Sequence, residues 1–194
     1  RSLTYINGAV FADELPTNGT AARDSVLKAK NESYVAIGYD DINSMSRADL
    51  RTYMAEKSLV YIYHNVIDNA GEHNDKKVFD VAETAINEIL MLVRKLYNSL
   101  QISNFYITAD HGFLYRSNRV EESSKYSNVV SMHPTEVSKR YVLSDDGSFT
   151  IPYTLEFPLS VEDGGYKVVT PYSYDLFKTQ GSGLQYIHGG ASLQ

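Results

Sequence analysis

A chain of 194 residues is long enough to bury one well-formed core, and 43% apolar with 22% charged residues is the balance of a soluble globular domain. No apolar run approaches the roughly 18 residues of a membrane span, and the absence of cysteine excludes disulfides, thiolate ligands and a cysteine nucleophile. A net charge of −6 argues against a free-standing nucleic-acid binder, which presents a basic face.

The chain opens Arg1-Ser2-Leu3, without Met and without a charged-then-apolar leader, so the expectation is a cytoplasmic fragment of a longer protein. Leu15-Pro16-Thr17-Asn18-Gly19-Thr20 is turn chemistry leading into a short helix, Ala21 to Lys30. Ser33 to Tyr39 alternates as a strand does. Ser46 caps the next helix, with Asp49 completing a capping box and Leu50, Tyr53 and Met54 as its apolar stripe.

Leu59 to Tyr63 is a continuous β-rich run, the pattern of a strand buried on both faces. A polar loop is expected from Asn69 to Asp75, then the longest helix, Lys76 to Ser99, with Val78, Ala82, Ala85, Ile89, Leu92 and Leu96 at helical spacing. Phe105-Tyr106-Ile107 reads as a second buried strand, and the two strands with their helical crossover make a βαβ unit. Arg116 to Asn128 reads as a mobile polar loop. From Lys139 the helical period fades. Asp145-Asp146-Gly147-Ser148 and Asp163-Gly164-Gly165 mark turns between antiparallel strands. A last short strand runs from Leu184 into Ile187-His188-Gly189-Gly190. Most of the sixteen tyrosines read as core-edge residues, ring buried and hydroxyl wet.

Chemistry concentrates where apolar runs stop. Asp110-His111 directly abuts one, and Gly112 lets the chain turn away at once. In open α/β sheets ligands gather outside the carboxyl ends of strands. Asp68, with Glu72 or His73 after it, and His188 stand at comparable ends. Asp, Glu and His together suit zinc or manganese, and two such ions can bridge a phosphoryl group. Each residue also has a structural alternative. Asp68 can end a strand in an Asx turn, Glu72 and His73 can be solvated, and the glycines after His188 can mark a tight turn. His64 reads as a satisfied core histidine. Lys139 and Arg140 could hold a phosphate, but a solvated strand edge is the expected reading.

Thr108-Ala109-Asp110-His111-Gly112-Phe113 resembles the Asp-His-Gly metal motif of the alkaline phosphatase superfamily. Together with Val60-Tyr61-Ile62-Tyr63-His64-Asn65-Val66-Ile67-Asp68-Asn69-Ala70-Gly71 it is similar to the PglZ family of bacterial BREX phage-defence systems, over most of the chain from Leu15 to Gly190. The resemblance implies an alkaline phosphatase-like α/β fold: a mostly parallel sheet flanked by helices, with a β-rich insertion over residues 126–185. It also implies a metal-dependent phosphatase or phosphodiesterase with two divalent ions. Asp110 and His111 would bind one ion, together with an Asp and a Ser/Thr nucleophile. Asp68, Glu72 and His188 would bind the other. The superfamily places His at the fourth position after that Asp, whereas here Glu72 stands there and His73 is one step late. No segment matches the family's nucleophile region. Thr17 and Thr20 lie in a stretch that the family has downstream of it, so the expectation is the C-terminal part of a catalytic domain. The implied partners are a phosphorylated substrate or nucleic acid and other BREX proteins, without a membrane. The alternative is a non-catalytic interaction module, docking defence-system proteins through the tyrosine-rich region after Lys139.

Overall fold

The computed structural model describes residues 2–73, 77–118, 120–159, 165–172, 174–179 and 186–188, with the backbone alone at Glu72, His73 and His188. The expected turn at Asp163-Gly164 and the glycines after His188 lie outside the described residues. The chain divides into two units, Arg1–Thr108 and Ala109–Gln194.

The first unit begins with three short antiparallel strands, β1 (Leu3–Ile6), β2 (Ala9–Ala12) and β3 (Leu15–Pro16). Asn7 and Gly8 both take positive φ, 51° and 83°, as the tight turn joining β1 to β2 requires. Next come α1 (Gly19–Lys30) and β4 (Tyr34–Gly38), and Asp24 ties them by accepting the Ala36 N–H at 2.8 Å. After α2 (Tyr39–Ser44) and α3 (Arg47–Met54), β5 (Leu59–Tyr63) pairs in parallel with β4. The capping box starts α3 as expected: Ser46 Oγ accepts the Asp49 N–H at 3.2 Å, and the Asp49 carboxylate accepts the Ser46 N–H at 3.3 Å.

Two helices complete this unit, α4 (Val66–His73) and α5 (Val78–Leu100). The core gathers Ile37, Ile42, Leu50, Leu92 and Leu96, with Val60 and Ile62 packed on it. Lys95 pins α5 to the end of α2 by donating to the carbonyls of Asn43 (2.5 Å) and Met45 (2.9 Å).

Three expectations are corrected here. The chain from 69 to 73 is helix, not loop, because the apolar positions of α4 continue the helical period; 74–76 lie outside the described residues. β5 is covered on one face only: Val60 and Ile62 enter the core while Leu59 and Tyr61 stay exposed, the alternation of a half-buried strand. The buried strand over 105–107 does not form. Residues 101–109 take no regular structure, and of the three expected strand residues Tyr106 is 96% and Ile107 67% exposed while Phe105 packs on the core. Without a ladder to β5, one inward ring is all that anchors the run.

The second unit is β-rich. After β6 (Phe113–Tyr115) and β7 (Lys125–Tyr126) come β8 (Glu136–Val137), β9 (Val142–Ser144), β10 (Thr154–Pro158), β11 (Lys167–Pro171), β12 (Leu176–Phe177) and β13 (Tyr186–His188). Its main sheet is antiparallel, in the order β10-β11-β9-β8. The turn at 145–148 therefore leads away from β9 and does not close a hairpin, since β11 lies between β9 and β10. Val129, Val142, Phe149, Ile151, Val169 and Phe177 form the core. The expected loop 116–128 carries a 3-10 turn at Glu122–Ser124, then β7 parallel to β12, and Val120 is buried with Leu176 and Ile187. Arg140 is another correction: it is 0% exposed, not at a solvated edge. Among the described residues, parallel pairing is confined to β4–β5 and β7–β12. The structure is thus mixed α/β with small sheets.

Candidate metal centre

In the first unit, β5 delivers the chain into His64-Asn65, and α4 begins at once. The Asn65 carbonyl accepts the Asn69 N–H at 3.2 Å, the first helical bond. Asp68 therefore lies in the first turn of α4, not at a strand end. Position 72 is one turn further along the same face, whereas 73 is rotated about 100° beyond it. His64 is held inside: its Nε2 is 2.7 Å from Glu88 Oε2, and its ring packs nearly perpendicular to Tyr39 with ring centres 4.7 Å apart. This is the satisfied histidine that the sequence suggested.

In the second unit, the side chain of Asp110 is 81% exposed and its Oδ1 accepts the His111 N–H at 3.1 Å. His111 Nδ1 lies 3.1 Å from the Gly112 carbonyl. A proton on Nδ1, donated to that carbonyl, leaves the ring's lone pair on Nε2, the tautomer that binds a metal. Nε2 is 3.9 Å from Asp110 Oδ1. Two such atoms are close enough to share one ion with bonds of about 2.1 Å. Immediately after Gly112, β6 pairs antiparallel with β13 and sets His188 opposite Phe113. The ladder, backed by Phe113 against Tyr186 with ring centres 5.0 Å apart, brings the backbone of His188 to the end where Asp110 and His111 sit.

Asp68 and Glu72 thus belong to one unit, and Asp110, His111 and His188 to the other. Among the described residues no three His, Asp or Glu side chains converge on one point, the side chains of Glu72 and His188 not being among those described. The Asp110–His111 oxygen and nitrogen pair fits a divalent ion.

Two arginines stand together here, Arg140, expected at a solvated edge, and Arg116, to which the sequence assigned no role. Arg140 Nη1 donates to the Asp175 carbonyl at 2.6 Å, and Arg116 donates to the neighbouring Tyr174 carbonyl. Burial, then the nearby charge of Arg116, lowers the Arg140 pKa against the opposing pull of Asp175. No local signal marks Arg140, since burial comes from strands distant in sequence.

Residues 1–194 match the family model described as the BREX system PglZ alkaline phosphatase-like domain. The chain is 34% identical over 200 residues to the alkaline phosphatase-like protein PglZ of Bacillus cereus (strain H3081.97), covering 100% of this chain and 23% of that protein. It is 30% identical over 193 residues to the alkaline phosphatase-like protein BrxZ of Escherichia coli O9:H4 (strain HS), covering 95% of this chain and 22% of that protein. The chain therefore spans less than a quarter of the length of these curated relatives. No solved structure matches it.

Proposed function

The chain belongs to the PglZ family of alkaline phosphatase-like domains, and from that premise we propose that it contributes metal ligands to a phosphohydrolase, a phosphatase or phosphodiesterase, of a bacterial anti-phage system. Asp110 and His111 hold one ion, completed by an Asp and a Ser or Thr nucleophile from outside these 194 residues. Asp68, Glu72 and His188 hold the second. Bound zinc or manganese would activate the nucleophile and neutralise charge developing on phosphorus. The observation that carries this reading is the Asp110–His111 pair, with Oδ1 and Nε2 3.9 Å apart and the Gly112 carbonyl positioned to fix the tautomer. Asp110 brings a negative charge that a cation offsets. Gly112, with nothing within 4 Å of where a Cβ would stand, leaves the approach open.

The substrate is a phosphorylated molecule or nucleic acid, the partners are other BREX proteins, and the setting is the cytoplasm. No described helix is long and apolar enough to cross a membrane. Residues 126–185 form a β-rich insertion in the domain. Hydrolysis of p-nitrophenyl phosphate and of its bis-ester by the full-length protein tests the reading. Turnover should fall with chelator and with Asp110→Ala. Turnover indifferent to both would overturn it.

A second reading, a docking module without catalysis, draws support from the exposed rings of Tyr153, Tyr172 and Tyr174 in the second unit. Partner capture that survives chelator while no ester is hydrolysed would favour it.

A further inference from the structure

Helix α5 carries two apolar faces. Val78, Ala85, Leu92 and Leu96 are buried. Phe79, Ile86, Leu90 and Tyr97 lie roughly 120° round the helix and within about 20° of one line. These four are between 45% and 58% exposed. Large apolar side chains aligned over about 27 Å of helix are not the scattered surface residues of a monomer.

The order of the stripe is the same read from either end. Positions 79 and 97, and 86 and 90, are each equidistant from position 88. A two-fold axis at that level, crossing an antiparallel pair of α5 helices, sets Phe79 against Tyr97 of the second copy and Ile86 against Leu90. The charges beside the stripe obey the same symmetry. Exposed Glu83 and Arg94 flank it on one side, about 40° and 60° off its line, and the axis brings Glu83 level with Arg94 of the second copy to about one residue's rise. This occurs twice. Ala82 and Val93, small and apolar, take the other flank and meet each other under the same operation. A parallel arrangement would instead set the Glu83–Arg94 flank of each copy against the Ala82–Val93 flank of the other and leave the charges unpaired.

We propose that α5 is a homotypic docking surface, on which a second copy of this chain packs antiparallel through Phe79, Ile86, Leu90 and Tyr97 with the Glu83–Arg94 pairs setting its direction. The apolar stripe supplies the affinity, and the exposed ion pairs select the orientation.

The test is the mass of the full-length protein by analytical ultracentrifugation across a concentration series. The wild type should form a dimer, and Leu90→Glu, with its helical circular dichroism unchanged, should be monomeric. Glu83→Arg should weaken the dimer about tenfold, because two attractive pairs become repulsive. Glu83→Arg combined with Arg94→Glu should restore it. A wild type monomeric throughout would overturn the proposal, the remaining length of the protein then covering the stripe. So would a dimer indifferent to Glu83→Arg, or one that the charge exchange fails to restore, since its interface would lie elsewhere.

Discussion

Asp24→Ala is the substitution with the most direct physical reading in the first unit. Its Oδ1 accepts the N–H of Ala36 at 2.8 Å, and its Oδ2 meets Lys28 Nζ at 2.5 Å. Ala36 is buried in the middle of β4, so losing the carboxylate leaves a backbone donor without an acceptor. A hydrogen bond to a charged acceptor is worth about 1.5–3 kcal/mol. The pair with half-exposed Lys28 adds about 0–1 kcal/mol. A loss near 2 kcal/mol raises local opening about 30-fold. Hydrogen exchange at the Ala36 amide of the full-length protein reads this directly: protection should fall by about 30-fold or more, centred on β4. Burial pushes the Asp24 carboxyl up, but the bonds from Lys28 and the Ala36 N–H, with the charges of Lys28 and Lys57, outweigh it and hold the pKa below the usual carboxylate range. The sign follows from the lowered value. The stabilisation is present above the unfolded carboxylate pKa, is complete at neutral pH, and is lost as the pH falls through the folded value. The variant should therefore show a flatter acid limb. Unchanged protection of Ala36 at neutral pH would refute the reasoning.

Leu50→Ala empties a fully buried position of the first core and should cost about 3–4 kcal/mol, measured as a lowered denaturant midpoint with an unchanged slope. Gly8→Ala should cost about 1 kcal/mol through backbone strain alone, since φ is +83° and nothing lies within 4 Å of the added carbon; Gly8→Asn should cost less. Arg140→Ala removes a charged donor to the Asp175 carbonyl and should destabilise the second unit by about 2–3 kcal/mol, read from proteolysis of that unit.

What the sequence made legible was local. Ser46 and Asp49 form the box that their spacing demands, and the period of Val78 to Leu96 is one face of α5. Asn7-Gly8, the strongest short hairpin signal in the chain, went unread, and the meander β1–β3 with it. The misses elsewhere have one cause, tertiary partners that no short window contains. Phe105-Tyr106-Ile107 has the composition of a strand but no ladder to join. Leu59 and Tyr61 look buried until the uncovered face of β5 is known. Arg140 is buried by strands remote in sequence. For the candidate centre, Asp110-His111-Gly112 was legible because its chemistry is contiguous. Glu72 was preferred to His73 from the sequence because it stands four positions after Asp68.

Elemental analysis of the dialysed full-length protein, beside its Asp110→Ala and Asp68→Ala forms, tests the metal account most directly. Zinc or manganese near two ions per chain in the wild type, falling in each variant, is the predicted result. Wild-type protein without a divalent ion, or variants that keep the full complement, would contradict it.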